Sequence, residues 1–133
     1  MSLQVLVLTP DSIFQKDNAD ELVLPTSTGQ IGVLPGHAPL ITAIDIGPIL
    51  IRRNTNWTAV ALIGGFALIQ DNQAIILVNE AVNSTSIDSK EAEEMLKDAT
   101  NRLQQVTRKK DKFEANFAYK RSRVRYQVAT WKK

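Results

Sequence analysis

Trp57-Thr58-Ala59-Val60-Ala61-Leu62-Ile63-Gly64-Gly65-Phe66-Ala67-Leu68-Ile69-Gln70-Asp71-Asn72-Gln73-Ala74-Ile75-Ile76-Leu77-Val78-Asn79-Glu80 decides the fold class. Apolar and β-branched residues come in short runs, Trp57 to Ile63, Phe66 to Ile69 and Ala74 to Val78, which stop at Gly64-Gly65, at Gln70-Asp71-Asn72 and at Asn79-Glu80. Runs of this kind, bounded by Gly, Asn and Asp, are strands followed by turns. Several are apolar at every position, as strands between two packed layers are. Upstream, Leu3 to Leu8 ends at Thr9-Pro10-Asp11, Glu21 to Leu24 ends at Pro25, and Ile49 to Ile51 ends at Arg52-Arg53-Asn54-Thr55-Asn56. Many short strands with no helical pattern between them predict an antiparallel sandwich or barrel from Leu3 to about Ser84.

After Ser84 the grammar changes, and neither proline nor glycine occurs again. Ala92, Met95, Leu96, Ala99, Leu103 and Val106 recur three or four apart, one stripe along a helix. Asp88, three residues before Glu91, is placed to cap its first turn, with Ile87 and Ala92 at the positions of a hydrophobic staple. Asp111, three before Glu114, repeats the arrangement ahead of a second stripe: Phe113, Phe117, Val124, Val128 and Trp131. That stripe requires a surface to cover it. Between the two, Thr107-Arg108-Lys109-Lys110 suits a turn between antiparallel helices, yet Phe113 follows Val106 in phase. A hairpin and one continuous helix both remain open, and a segment with two available shapes is a candidate switch.

At 133 residues the chain is long enough for one domain with an appendage. It has no cysteine and a single histidine, His37, so thiolate chemistry is excluded and a transition-metal site lacks its usual ligands. The longest apolar stretch, Ala59 to Ile69, is 11 residues, against the roughly 18 of a membrane span. Met1-Ser2-Leu3-Gln4 does not read as a signal peptide, so the chain is expected to stay on the side of the membrane where it is made. Gly64-Gly65-Phe66 lacks the lysine and spacing of a phosphate loop and reads as a bend or bulge. Ser84, Ser86 and Ser89 have no base in view, so the sequence offers no basis for an enzyme.

Charge is distributed unevenly. Residues 1–87 carry 3 basic and 7 acidic side chains, and residues 88–133 carry 13 and 7. From Arg108 onward there are 10 basic residues against 2 acidic, with Lys120, Arg121, Arg123 and Arg125 clustered. Such a segment calls for an acidic partner. Phe117, Tyr119 and Tyr126 interleave with the arginines, so a nucleic-acid-binding adapter with a basic helical tail is the alternative reading.

Gly29-Gln30-Ile31-Gly32-Val33-Leu34-Pro35-Gly36-His37-Ala38-Pro39-Leu40 reads as a sharply shaped surface loop between strands. It resembles the G-x-x-G-x-L-P-G-H-x-P-L loop of the epsilon subunit of F-type ATP synthases at every specified position. The resemblance continues through Asp45-Ile46-Gly47, Gly64-Gly65-Phe66 and Ile87-Asp88, with a flavour of the cyanobacterial and chloroplast branch. It implies a β-sandwich of about ten antiparallel strands over residues 1–86, for rotor attachment, and a regulatory α-helical hairpin over residues 87–133. It further implies a non-catalytic central-stalk subunit that links the gamma subunit to the c-ring, supports the coupling of proton flow to ATP synthesis, and restrains ATP hydrolysis by contacting the alpha and beta subunits. Gln30, Leu34, Pro35, Gly36 and His37 become candidates for the c-ring and gamma interface. Lys120, Arg121, Arg123 and Arg125 become candidates for contact with an acidic segment of beta. The nucleotide-binding motif of some members, I/L-D-x-x-R-A, reads Ile87-Asp88-Ser89-Lys90-Glu91-Ala92 here; Glu91 replaces the arginine and repels phosphate, so no nucleotide is expected, and neither a cofactor nor a metal is expected elsewhere. The implied location is peripheral, on the cytoplasmic or stromal side of an energy-transducing (thylakoid) membrane, held only through the complex, with no specific nucleic acid as partner.

Overall fold

The computed structural model describes residues 2–131. They form strands β1 (Leu3–Leu8), β2 (Ile13–Ala19), β3 (Glu21–Thr26), β4 (Gly29–Val33), β5 (Leu40–Ile44), β6 (Gly47–Arg53), β7 (Asn56–Gln70) and β8 (Gln73–Asn83), followed by helices α1 (Ser89–Gln105) and α2 (Lys109–Ala129). The long strands β7 and β8 build the sandwich. The first half of β7 pairs with β6, from Asn56↔Arg53 to Leu62↔Gly47, and the second half pairs with β5, from Gly65↔Ile44 to Ile69↔Leu40. β8 follows β7 through the same change of layer. One layer is therefore β2-β1-β8-β7-β5 and the other β8-β7-β6-β3-β4, so that eight strands supply ten strand segments. All pairings are antiparallel except β1 with β8, where Gln4 to Leu8 run parallel to Gln73 to Leu77.

Two runs that the sequence separates at Gly64-Gly65 are thus halves of one strand, bent there. Gly64 sits at φ +62° and Gly65 at φ +148°. A Cβ on Gly65 would lie 1.9 Å from the Leu77 carbonyl oxygen, so only glycine lets β8 approach this closely. Likewise Asn79-Glu80 is not a turn: β8 continues to Asn83 because Glu80 pairs with Ile63, and the interstrand ladder outweighs the local turn preference. The stretch from Gly29 to Leu40 is also not loop throughout. Gly29 to Val33 form edge strand β4, paired with β3 across a tight Ser27-Thr28 connection, and only residues 34–39 lie outside strands.

The bend reverses which residues face inward. Val60 and Leu62 enter the core between the layers before it, and Ala67 and Ile69 after it. They pack with Leu3, Val5, Val7, Leu22, Leu24, Ile49, Ile51 and Ile76, all buried. On the opposite face of β7, Ala59, Ala61 and Ile63 form a second cluster with Val124 and Val128 of α2, flanked by Ile46, Leu50, Val82 and Ile87. This explains why Trp57 to Ile63 is apolar throughout: that half of β7 is covered on one side by the sandwich core and on the other by a helix.

Asp88 caps α1, its Oδ1 accepting from the backbone N–H of Lys90 at 2.9 Å and of Glu91 at 3.4 Å. The chain then breaks at Val106, whose extended backbone ends α1, and re-enters helix at Lys109. The two helices form a hairpin in which α2 contacts β6, β7 and β8 and α1 packs on α2. Asp111 is not the second cap. It lies inside the first turn of α2, whose N-cap is Arg108 with no side-chain cap bond; there its carboxylate favours the positive end of the helix. The buried residues of α1 are Ala92 and Ala99, and Ala115 and Ser122 are buried on α2, small side chains at heptad spacing that let the helices approach closely.

Candidate functional site

Three surfaces and one cleft collect the residues of interest. The first surface is the loop after β4. His37 N–H donates to Leu34 O at 3.1 Å, closing a turn with Pro35 and Gly36 at its centre, and Gly36 takes φ +87°. Pro35 presets the first turn position and Gly36 supplies the positive φ of the second. The loop is fixed from outside by Asn72 in the β7–β8 connection: its Oδ1 accepts from Gly36 N–H at 2.6 Å, and its carbonyl accepts from Gln4 N–H at 2.9 Å. His37 is half-buried, its Nδ1 2.6 Å from Ala38 O. Leu34 stays 52% exposed at the tip, an apolar side chain presented on a rigid loop. With Glu21 and Gly32, residues Leu34, Pro35, Gly36 and His37 line one shallow depression.

Gln30 does not join them. It lies four residues back along β4, about 13 Å at strand rise, and opens into a cleft of about 520 Å³ between the sandwich and the last turns of α2. Pro25, Asp45, Ile46 and Pro48 line one side of that cleft, and Arg123, Gln127 and Trp131 the other. The resemblance groups Gln30 with the loop; the strand between them separates the two ends.

The second surface is the basic face of α2. Arg121 makes a two-point contact with Glu80 of β8, Nε to Oε2 at 3.1 Å and Nη2 to Oε1 at 2.6 Å, and Arg125 Nη1 stands 3.9 Å from the same Oε1. Arg123 points elsewhere, its guanidinium 5.5 Å from the centre of the Tyr119 ring. Lys120 is half-buried. The four cations therefore do not act as a unit in the hairpin, since two are neutralised within the chain. Further along the same helix, Phe113 is 77% and Phe117 46% exposed, whereas Val124 and Val128 are buried. Of the second stripe only Val124 and Val128 are covered, since Trp131 is also 39% exposed.

The third surface was not visible in sequence. On the outer face of the layer that carries β5, Ile41, Leu68, Ile75 and Leu6 lie in register across four adjacent strands, with Ala43, Phe66, Leu77 and Leu8 in the next row. Ile41 is 75%, Phe66 61% and Leu77 52% exposed. Contiguous exposed apolar side chains of this kind mark an interaction site. The runs Phe66 to Ile69 and Ala74 to Val78 are apolar on both faces, which sequence alone reads as burial on both sides, whereas this layer has no helix on its outer face.

Glu91 is exposed in the first turn of α1. Among the described residues, no cluster of three or more His, Asp or Glu is placed to hold a metal, and no helix is long and apolar enough to cross a membrane.

Residues 2–84 match the family of the ATP synthase delta/epsilon chain β-sandwich domain, and residues 85–130 that of the ATP synthase delta/epsilon chain long α-helix domain. The chain is 56% identical over 128 residues to the chloroplastic ATP synthase epsilon chain of Oltmannsiellopsis viridis, covering 96% of this chain and 98% of the relative. It is 56% identical over 128 residues to that of Chlorella vulgaris, covering 96% of each. For Nephroselmis olivacea the identity is 55% over 130 residues, covering 98% of each. In backbone it resembles a chain in the cryo-EM structure of the Euglena gracilis mitochondrial ATP synthase (OSCP/F1/c-ring, rotational state 1), with a TM-score of 0.83 at 19% identity over 98% of this chain and 82% of that one. A chain of the Tetrahymena thermophila mitochondrial ATP synthase central stalk and c-ring gives a TM-score of 0.62 at 16% identity, covering 98% of each.

Proposed function

The chain belongs to the ATP synthase delta/epsilon-chain family, and from that premise we propose that it is the epsilon subunit of a chloroplast-type synthase: a non-catalytic member of the central stalk that joins gamma to the c-ring and restrains ATP hydrolysis through its helices. The observation that carries this division of labour is the placement of two unlike surfaces on opposite sides of one sandwich. The layer containing β5 turns an uncovered apolar face outward, around Phe66 and Leu77, and the other layer seats a basic hairpin through Val124 and Val128. The apolar face is the docking surface for gamma. The Leu34 to His37 loop, braced by Asn72, is the contact to the c-ring. Gln30, in the cleft beside Arg123, belongs with the hairpin side and not with the ring contact.

The helices supply the brake. Phe113 and Phe117 are left uncovered by the sandwich, and an acidic, partly apolar surface on the catalytic subunits provides what the hairpin's own seat does not. Lys120, Arg121, Arg123 and Arg125 face the acidic segment once α2 leaves the sandwich. Fully burying a large apolar side chain is worth roughly 1.5–3 kcal/mol, so release of α2 requires a partner that covers Val124 and Val128 as well. The subunit is accordingly peripheral on the thylakoid membrane, held there through gamma and the ring.

The two surfaces are tested separately by add-back to an epsilon-depleted synthase. Phe66→Asp with Leu77→Asp is expected to weaken binding at least tenfold, because two side chains worth roughly 1.5–3 kcal/mol each are replaced by charges. Arg121→Gln with Arg123→Gln and Arg125→Gln is expected to bind as the wild type does and to lose inhibition. High salt weakens the inhibition more than the attachment, since only the former depends on exposed charges. Retained binding by the first variant refutes the docking face; retained inhibition by the second refutes the basic brake.

A further inference from the structure

Glu80 is the one carboxylate that the hairpin uses against the sandwich in the described residues, and nothing in its sequence surroundings marks it out. It is half-buried on β8, opposite Ile63, at the place where β8 passes from one layer to the other. Both of its oxygens are engaged by α2: Oε2 takes Arg121 Nε, and Oε1 takes Arg121 Nη2 with Arg125 Nη1 nearby. The first is a two-point guanidinium–carboxylate contact, the geometry that gives an ion pair orientation as well as attraction. The other ion pairs among the described residues lie within the sandwich, Arg52 with Glu21 and Arg53 with Asp17, or within α1, Lys97 with Glu93. Among the described residues, Glu80 alone ties the two parts of the chain together by charge.

We propose that Glu80 is an internal latch: a stand-in for an external acidic surface that holds Arg121 and Arg125 on the sandwich and thereby sets how often α2 is released. Three features support it. The apolar seat of α2 offers only two fully buried side chains of the helix, Val124 and Val128, against Ala59, Ala61 and Ile63 with Ile46, Leu50, Val82 and Ile87 at the edge, so an oriented ion pair adds materially to what holds the helix down. Between the paired arginines, Arg123 stacks on Tyr119 of its own helix, so among the described residues Arg121 and Arg125 are the only cations of α2 anchored to the sandwich. Finally, an arginine pair bound to one carboxylate is withheld from any other, so an acidic partner must displace Glu80 before it can gain both cations. A partner that offers a single carboxylate only exchanges like for like; one that offers several gains from the exchange. The latch itself does not depend on which protein the partner is.

The test is hydrogen exchange of the full chain, comparing amides 119–129 of α2 with those of β1 and β6. Most of a protein helix's stability comes from the packing of its apolar face and not from intrinsic propensity, so α2 lifted off its seat frays and release appears as faster exchange in α2 alone. The side chains are about one-third exposed, and pairs of that kind contribute modestly, so Glu80→Gln is expected to speed exchange in α2 roughly three- to tenfold while β1 and β6 keep wild-type rates. Arg121→Gln is expected to do the same, and the double variant to be no faster than either single one. Adding salt to the wild type is expected to close most of the gap, with little effect on Glu80→Gln. Unchanged α2 exchange in Glu80→Gln overturns the proposal, as do additive effects in the double variant. Equal acceleration in β1 and β6 also overturns it, because Glu80 then supports the sandwich and not the hairpin. All of these readouts are taken on the isolated chain, so their outcome is separate from whether the helices restrain a synthase.

Discussion

Replacing Gly65 by alanine tests the bend that makes one sheet into two layers. The added Cβ falls 1.9 Å from Leu77 O, 2.8 Å from Val78 Cα and 2.9 Å from Leu77 C, all backbone atoms of β8, and Gly65 sits at φ +148°. No side-chain rotation relieves such contacts, so β7 and β8 must separate where both change layer. A residue held in a region nearly reserved for glycine costs of order 1–3 kcal/mol, and forced overpacking costs typically a further 1–3 kcal/mol, giving about 2–6 kcal/mol in all. Gly64→Ala is the matched control. At φ +62° it is also left-handed, but its nearest neighbour is the Asn79 side-chain nitrogen at 3.4 Å, an ordinary contact. Its cost is the left-handed penalty of about 1–2 kcal/mol. With a urea slope of about 2 kcal/mol per molar, mid-range for small proteins, the unfolding midpoint is expected to fall by roughly 1–3 M for Gly65→Ala and about 0.5–1 M for Gly64→Ala, read by circular dichroism of the strands. Equal shifts for the two variants refute the reasoning, because they show that β8 does not need glycine opposite it.

Other changes probe the loop, the hairpin seat and the expected lack of nucleotide binding. Asn72→Ala removes the acceptor of Gly36 N–H and the residue that tolerates φ +61°, and is expected to cost about 1–3 kcal/mol and to speed exchange of the Gly36 amide; an unchanged Gly36 amide contradicts the brace. Val124→Ala with Val128→Ala removes methyl groups from fully buried positions, at roughly 0.5–1.5 kcal/mol per methyl(ene) lost. Tryptic cleavage at the α2 basic residues is expected to accelerate before the sandwich melts, and simultaneous loss of both counts against a separable hairpin. ATP titrated onto the full chain is expected to leave its thermal midpoint unchanged, since Glu91 in the first turn of α1 repels phosphate and Glu80 already occupies Arg121 and Arg125. A clear upward shift at millimolar ATP contradicts that reading.

What was legible in the sequence was whatever short-range pattern dictates. Strands such as Leu3–Leu8 and the first half of β7 are dense in β-branched and apolar residues, and Asp88 is followed directly by the helix it caps. β2, with the sequence Ile-Phe-Gln-Lys-Asp-Asn-Ala, escaped because a half-exposed edge strand needs little apolar content. β4 was hidden inside a glycine- and proline-rich motif, where pairing with β3 overrides local loop preference. Choosing the hairpin over one long helix depends on the second cluster, since Val124 and Val128 are satisfied only by folding back onto β7.

The candidate site was legible only in part, for a related reason. The Pro35-Gly36 turn and the basic run announce themselves in adjacent residues. Glu80 meets Arg121 across 41 residues of chain, and it sits in a dipeptide that reads as a strand terminator. The apolar face around Phe66 and Leu77 is invisible for another reason: inward and outward residues of that layer are both apolar, so alternation carries no signal. The separation of Gln30 from His37 follows from strand length, which becomes known only once β4 is recognised as a strand.

The central claim is that the sandwich attaches and the helices restrain. It is tested most directly by measuring ATP hydrolysis of an epsilon-depleted synthase after adding back the full chain or residues 1–87, with binding of each confirmed by co-sedimentation. The account predicts that both bind and that only the full chain inhibits. If both bind and inhibit equally, the helices are not the brake; if neither binds, the assignment to the rotor is wrong.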